Sequence, residues 1–146
     1  MFDLKINEQR DIEVFADHMP RGMQEIAAVI GVEAAMKLAH YLGGCDYYIP
    51  KGGQDCPRGM YLKEILGVAA ADKLMQIYGG ANCYIYMCRE AFRAVKVRHF
   101  LRHLAELMAQ GESQKLAIQK IGYHYGINER LANELLRQQR NGQITL

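Results

Sequence analysis

One stretch of this 146-residue chain occurs twice, and the repeat decides the fold. Residues 30–49 have the sequence IGVEAAMKLAHYLGGCDYYI, and residues 66–85 have the sequence LGVAAADKLMQIYGGANCYI, with ten identities in twenty positions at an offset of 36. Upstream of each copy, Pro-Arg-Gly-Met at 20–23 returns at 57–60, at an offset of 37. Self-similarity at a fixed spacing defines the structural unit of a chain. The unit predicted here is two short helices, a glycine pair and one strand.

The apolar spacing within each copy predicts two helices joined by a glycine. In the first copy a helix begins at Pro20 and ends at Gly31, because glycine accepts the left-handed backbone that terminates many helices. A second helix then runs from 32 to 42. In the second copy the corresponding helices are predicted over 57–66 and 68–78.

A tyrosine-containing strand is predicted after each glycine pair, over 45–50 and over 81–87. An isolated strand leaves its backbone hydrogen-bonding groups unpaired. The two strands are therefore expected to form an antiparallel ribbon, either with each other or with the strands of a second chain. Residues 51–56 form a polar linker between the copies, and residues 1–18 fit a strand, a helix or a frayed end.

Downstream of the repeats, residues 89–110 are predicted to form one continuous helix with two different faces. Its apolar stripe consists of Val97, Phe100, Leu101, Leu104, Leu107 and Met108. Its basic side consists of Arg89, Arg93, Lys96, Arg98 and Arg102.

The segment after this helix has the pattern of a helix-turn-helix, in which two helices pack through apolar positions around a tight turn that often contains glycine. Ser113 is a candidate N-cap for the first helix, Gly126 occupies the turn, and Asn128 can cap the second helix. Gly122 is small where the two helices cross closely. The positions at which the helices must pack are apolar: Ile121, Tyr125, Ile127, Ala132 and Leu135.

The second helix of this pattern carries the candidate DNA-binding residues. Arginine and asparagine form bidentate contacts with guanine and adenine in the major groove, and basic side chains contact phosphates. On the recognition helix the candidates are Asn128, Glu129, Arg130, Asn133, Glu134, Arg137 and Arg140. On the preceding helix the candidates for contact with the DNA backbone are Lys115 and Lys120. Short helical hairpins also occur in ordinary helical proteins, so the same pattern fits a hairpin that serves only packing.

The helix–glycine–helix pairs of the repeats fail the packing test that the C-terminal segment passes. Lys37 and Lys73 fall at the position that matches Ala132, which has to be buried. A lysine is almost never fully buried without a partner. The repeated units are therefore predicted to be scaffold.

Charge is distributed unevenly between the two parts of the chain. Residues 1–87 carry 8 Lys and Arg against 11 Asp and Glu, a net charge of −3, whereas residues 88–146 carry 10 against 5, a net charge of +5. A basic C-terminal part suggests contact with a polyanion. A basic helix face that is merely solvated is the alternative.

The chain is expected to be a cytosolic protein with no membrane contact. No apolar run approaches the roughly 18 residues that span a bilayer, and the N-terminus lacks the layout of a signal peptide. In such a compartment cysteines are expected to be free thiols. The four cysteines are Cys45, Cys56, Cys83 and Cys88.

One spacing comes close to that of zinc-finger ligands: Cys83, Cys88, His99 and His103. Within a continuous helix, however, His99 would lie about 15 Å from Cys88 at a rise of about 1.5 Å per residue. A zinc site would require the helix to begin near Val95. We therefore predict no metal and no cofactor.

Two motifs, LGG at 42–44 with YIPKG at 48–52, and YGIN at 125–128, resemble the Mor transcription activators of Mu-like bacteriophages, a family that includes the related C regulator. The resemblance covers roughly residues 26–142. In that family the N-terminal helices and one strand form a dimer, in which the strands of two subunits make an antiparallel ribbon. A C-terminal helix-turn-helix binds half-sites in the major groove near phage promoters and helps to recruit RNA polymerase. The resemblance therefore implies a homodimer that binds double-stranded DNA in the cytoplasm of a bacterial host cell, with RNA polymerase as a further partner.

The same resemblance implies a set of ribbon or dimer residues: Tyr47, Tyr48, Ile49, Pro50, Lys51, Tyr84 and Ile85. The chain departs from the family pattern because it has two helix–strand units where the family has one. Its second unit ends in YIYMC at 84–88 and lacks the Pro-Lys-Gly ending. An extra unit would let one chain form the ribbon that the family forms between chains.

The sequence thus predicts a mainly α-helical fold, in which tandem helix–helix–strand units form a small antiparallel ribbon and a helix-turn-helix follows. The duplicated dimerisation region is predicted at 1–87, with copies at about 20–50 and 57–87, and the linker helix with the DNA-binding domain at 88–146. The predicted function is a sequence-specific transcription regulator, an activator of a phage or prophage. A structural or protein-interaction module is the alternative. An enzyme is not predicted, because the chain shows no Ser/His/Asp grouping and no phosphate-binding glycine loop with its lysine.

Overall fold

A computed structural model gives the fold of residues 8–52 and 56–146. In these residues the chain forms two strands and eight helices, which confirms the predicted mainly helical fold with a small antiparallel ribbon. The elements are α1 (Gln9–Asp17), α2 (Arg21–Ile30), α3 (Val32–Leu42), β1 (Asp46–Ile49), α4 (Pro57–Leu66), α5 (Val68–Tyr78), β2 (Ala81–Tyr84), α6 (Arg89–Ala109), α7 (Gln114–Tyr125) and α8 (Glu129–Arg140).

The chain divides into two compact units, and the division falls inside α6, between Ala91 and Phe92. Of the N-terminal segment that the sequence left undecided, Gln9–Asp17 is helical, and residues 1–7 lie outside the described residues. The same holds for residues 53–55 of the linker between the repeats.

In the unit formed by residues 8–91, each repeat supplies two helices and one strand. Within a copy, α2 packs against α3 and α4 against α5. Between copies, α2 packs against α5 and α3 against α4, while α1 packs against α3. Because α2 corresponds to α4 and α3 to α5, these two contacts between the copies are equivalent to each other.

The two strands pair with each other, antiparallel, within the one chain. The pairs are Asp46–Tyr84, Tyr47–Cys83, Tyr48–Asn82 and Ile49–Ala81. Both strands are shorter than predicted: β1 begins after Cys45 and ends before Pro50, whereas β2 begins at the predicted Ala81 but ends at Tyr84 and not at Met87. At the end of β2, the N–H of Ile85 donates to the carbonyl of Cys45 at 2.9 Å, and the carbonyl of Ile85 accepts from the N–H of Gly44 at 2.7 Å. Two residues of one strand thus face one residue of the other, the arrangement of a β-bulge, which ends regular pairing.

The glycines between the repeat helices do not adopt the left-handed helical backbone. Gly31 has φ 90° and ψ 155°, and Gly67 has φ 84° and ψ 162°. Positive φ was expected, but the ψ values are extended. Each glycine is both the C-cap of one helix and the N-cap of the next, so a single residue separates the two helices.

The unit formed by residues 92–146 has its own core, contributed by α6, α7 and α8. Most of the predicted apolar stripe of α6 is buried or half-buried there, but Met108, which is 40% exposed, is not. The prediction that Arg98 belongs to a basic side opposite the buried stripe was also wrong, since this residue is only 7% exposed. Arg98 follows Ala91 and Val95 at helical spacing, and both of these are fully buried. α6 is thus buried on more than one stripe.

Candidate nucleic-acid interface

The turn between α7 and α8 is fixed by a Schellman motif. Gly126 has φ 64° and ψ 31°, the left-handed helical conformation. Its N–H donates to the carbonyl of Tyr123 at 3.2 Å, and the N–H of Ile127 donates to the carbonyl of Gly122 at 2.9 Å. These are the two hydrogen bonds that define the motif and satisfy the last carbonyls of a helix. The start of α8 is therefore set relative to the end of α7.

Gly122 is the position of closest approach in this turn. A Cβ added there would lie 2.4 Å from the carbonyl oxygen of Ile127. No real Cβ contact is that short, so only glycine permits the carbonyl of the turn to approach α7. The predicted crossing at Gly122 is confirmed.

Both helices of the pair begin with a side-chain cap at the predicted residue. The side chain of Ser113 accepts from the N–H of Leu116 at 3.2 Å, and Oδ1 of Asn128 accepts from the N–H of Leu131 at 2.8 Å. Each bond satisfies one of the N–H groups that the first turn of a helix leaves free. Asn128 was also a candidate for contact with DNA, and the structure uses its side-chain oxygen to start α8.

The apolar residues predicted to hold the pair together are buried in one cluster with α6. This confirms the packing prediction for Ile121, Tyr125, Ile127, Ala132 and Leu135. The ring of Tyr125 lies edge-on to Phe100 with 5.5 Å between centroids, and its hydroxyl lies 3.2 Å from Nδ1 of His103. Burial, with a smaller contribution from Glu106, raises the pKa of Tyr125. The phenol therefore stays neutral and serves packing.

The outer face of α8 carries the predicted recognition residues. Arg130, Asn133, Arg137 and Arg140 follow at three- and four-residue steps, and all four are exposed. Such a spacing places them on one face of a helix. Glu129 is exposed in the first turn, where a carboxylate is favoured by the helix dipole.

Glu134 and Arg137 form an ion pair on this face. Nη2 of Arg137 donates to Oε1 of Glu134 at 2.5 Å, and Nε of Arg137 donates to Oε2 at 3.1 Å. The hydrogen bond from Arg137 lowers the pKa of Glu134, and the pKa of Arg137 is raised by the same bond. Both partners are solvated, so the pair orients the guanidinium at little cost to its availability.

The remaining candidate cations of the α7–α8 pair differ in their partners. Lys120 is ion-paired with Glu112, so a phosphate would compete with that carboxylate, and its contact with the DNA backbone stays a prediction. Lys115, Arg130 and Arg140 are exposed, and the described part of the chain offers none of them an ion-pair partner. These three residues and Arg137 are therefore the exposed candidate cations of the pair that remain available to DNA.

The ribbon residues belong to the other unit and divide into exposed and buried sets. Tyr48 and Tyr84 are 42% and 48% exposed, whereas Ile49 and Ile85 are fully buried. The hydroxyl of Tyr47 donates to the carbonyl of Arg58 at 2.9 Å, and burial raises its pKa. Of the predicted set, Pro50, Lys51 and Ile85 lie just beyond the strands.

One exposed aromatic residue was missed by the sequence reasoning. Tyr123, just before the turn, is 90% exposed, and Leu116, seven residues earlier on the same face of α7, is 45% exposed. The helical period could have located both, because the buried positions of α7 lie on the opposite side.

The repeated helix pairs differ from α7–α8 as predicted. Lys37 and Lys73, which stand where Ala132 stands in α8, are both exposed, while Ala132 is completely buried. The packing test therefore separated the two kinds of helix pair correctly.

The four cysteines are free thiols, as predicted. Cys88 is buried, which raises its pKa to about 11. α6 begins at Arg89, so the later helix start that a zinc site would have required does not occur. Within residues 8–52 and 56–146, no three side chains of His, Cys, Asp or Glu lie together as metal ligands. No helix in the same residues has both the length and the apolar character needed to cross a membrane.

Comparison with protein-family models, with curated proteins and with solved structures gives no match to this chain.

Proposed function

We propose that the protein is a sequence-specific DNA-binding protein and that α8 is its recognition helix. The observation that carries the proposal is the division of α8 into two faces. Ala132 and Leu135 are buried in the core, while Arg130, Asn133 and Arg137 are exposed on the opposite side. A helix presented in this way fits the major groove, where arginine and asparagine contact base edges.

The local geometry of the α7–α8 pair supports this proposal. A helix-turn-helix places its second helix in the groove and its first across the DNA backbone. Exposed Lys115 on α7 suits a phosphate contact in that arrangement. Arg137 donates two hydrogen bonds to the Glu134 carboxylate, which favours one orientation of its guanidinium and so lowers the entropy lost when it binds guanine.

We further propose that the protein regulates transcription, as an activator of a phage or prophage. This step rests on the resemblance of the motifs at 42–52 and 125–128 to the Mor family. On the same basis we propose RNA polymerase as a partner.

The experiment that tests DNA binding is a salt titration of the affinity for duplex DNA selected from a random pool. Binding that neutralises phosphates weakens steeply as salt rises, with a slope set by the number of contacts. We expect Arg130→Glu to weaken binding by about 5- to 150-fold, since the loss of one good base contact costs about 1–3 kcal/mol. Arg21→Glu, in α2, makes the same change of charge at an exposed site and should leave binding within about twofold. Equal losses in both variants, or no duplex selected at low salt, would refute the proposal.

A protein-interaction module is the second candidate, and the exposed pair Leu116 and Tyr123 on α7 favours it. Apolar groups exposed together on a protein surface are typical of sites that contact other proteins. If this function is the correct one, Tyr123→Ser would abolish capture of the partner while Arg130→Glu would not.

A further inference from the structure

The register of the ribbon is centred on two residues that the repeat makes equivalent. Tyr47 faces Cys83, and these positions are separated by the repeat offset of 36. The flanking pairs exchange under the same offset: Asp46–Tyr84 and Tyr48–Asn82. An internal two-fold relation therefore passes through the centre of the ribbon. In a homodimer, a self-pairing strand has the same property about the axis between two chains.

The hydrogen bonds at the two ends of the ribbon follow this relation. The N–H of Gly44 donates to the carbonyl of Ile85 at 2.7 Å, and the N–H of Gly80 donates to the carbonyl of Ile49 at 2.7 Å. Each donor is the repeat equivalent of the other, and so is each acceptor. The symmetry thus extends to individual backbone atoms.

The packing around the glycine pairs is matched in the same way. A Cβ at Gly44 would lie 3.2 Å from Cγ of Met87, and a Cβ at Gly80 would lie 3.1 Å from Cε of Lys51. Met87 and Lys51 are equivalent at the offset of 36. The helix contacts of α2 with α5 and of α3 with α4 are equivalent in the same way. The interface between the two repeats is therefore formed entirely within one chain.

We infer that the protein acts as a monomer and recognises a single, non-palindromic half-site in double-stranded DNA. The inference rests on the proposed function. Operator palindromes mirror the two-fold symmetry of a dimer that carries two recognition helices. Here the two-fold relation is internal to residues 8–91, and the described chain has only one helix pair of the α7–α8 kind.

Mass in solution gives the first test. Light scattering of the full chain should give 16.6 kDa at all protein concentrations, and its complex with a selected duplex should contain one chain. The selected sequences should show no inverted repeat. A mass of twice that value, two chains on one duplex, or a selected inverted repeat would each overturn the inference.

A monomer that selects no duplex would refute the proposed function, and the half-site would fall with it. A dimer that selects a palindrome would uphold the proposed function and refute the inference. The two failures are therefore distinguishable.

An engineered disulfide tests directly whether the strands pair within one chain. Alternation in the ladder makes Tyr48–Asn82 a pair without mutual hydrogen bonds, whose Cα atoms lie about 4.5 Å apart. That distance permits a disulfide. Oxidised Tyr48→Cys/Asn82→Cys should therefore run as a single chain on a non-reducing gel. The single variant Tyr48→Cys reports what the four native thiols do under the same conditions. A covalent dimer formed only by the double variant would show pairing between chains.

Discussion

The helix pairs of the repeats and the α7–α8 pair share one sequence pattern, helix–glycine–helix, but have two different geometries. At Gly31 and Gly67 one residue with positive φ and extended ψ ends one helix and begins the next. At Gly126 a left-handed residue closes a Schellman motif, and Ile127 and Asn128 follow before α8 begins. The glycine alone therefore does not define the turn. Its ψ angle and the residues that follow it decide which faces of the helices meet.

The unit formed by residues 92–146 uses the Schellman arrangement at each of its three helix ends. The N–H groups of Gly111 and Gly142 donate to the carbonyls of Met108 and Gln139, each at 3.1 Å, and the N–H of the residue after each glycine donates to the carbonyl one residue earlier than these. In the repeats, by contrast, the N–H of Gly31 donates only to Ala27, four residues earlier, at 2.8 Å. The two units thus end their helices by different means.

The largest expected effect comes from exchanging the side chains that distinguish the two kinds of pair. Ala132 is completely buried, so Ala132→Lys would place an unpaired charge in the core and destabilise the protein by about 3 kcal/mol or more. The matched change at the equivalent exposed position, Lys73→Ala, should alter stability by less than about 0.5 kcal/mol. Urea unfolding followed by circular dichroism measures both. Similar effects at the two positions would mean that the pairs do not differ in packing.

The next effect separates the two glycine conformations by one substitution. Gly67 lies in a backbone region that is essentially restricted to glycine, so Gly67→Asn should cost about 1–3 kcal/mol. Gly126 is left-handed helical, which asparagine tolerates, so Gly126→Asn should cost less than about 1 kcal/mol. At both positions no described atom lies within 4 Å of the added Cβ, so sterics do not confound the comparison. Thermal unfolding of the two variants should show this order, and the reverse order would contradict the assigned conformations.

A smaller effect is expected where α7 meets the turn. Gly122→Ala would push against the carbonyl of Ile127, at a cost of about 1–3 kcal/mol that the better helix propensity of alanine offsets by up to about 1 kcal/mol. Gly52→Ala is the control, since no described atom lies within 4 Å of its Cβ, and it should change stability by less than about 0.5 kcal/mol. Stabilisation by Gly122→Ala would show that the close approach does not exist.

The helix boundaries of the second repeat could be predicted from the sequence, because proline starts and glycine ends helices there. As predicted, α4 begins at Pro57, and Gly67 separates α4 from α5. The strand ends could not be predicted, because the bulge at Gly44 depends on a partner, Ile85, that lies in the other copy. Proline and glycine thus determine the helix boundaries locally, whereas the strand ends are determined by pairing with a distant part of the chain.

The same distinction applies to the candidate site. The outward positions of α8 follow from the helical period and from the buried positions Ala132 and Leu135. The ion pair of Lys120 with Glu112 joins two residues that are eight positions apart, one in α7 and one before α7 begins. The helical period therefore could not predict this pair. The burial of Arg98 likewise depends on what surrounds α6.

The smallest effect concerns the cap that only the α7–α8 pair can have at its turn, because glycine has no side chain with which to cap α3 or α5. Asn128→Ala removes the acceptor for the N–H of Leu131 and should cost about 1 kcal/mol. Asn128→Ser keeps an acceptor of similar strength and should retain most of the stability. Cys56→Ala is the control, since the Cys56 thiol makes no capping bond to the described part of α4, and it should change stability by a few tenths of a kcal/mol, about the size of ordinary surface changes. If the serine and alanine variants lost equal amounts of stability, the side chain of Asn128 would not act as a cap. The hydrogen bonds of the Schellman motif would then be what determines the geometry of the turn.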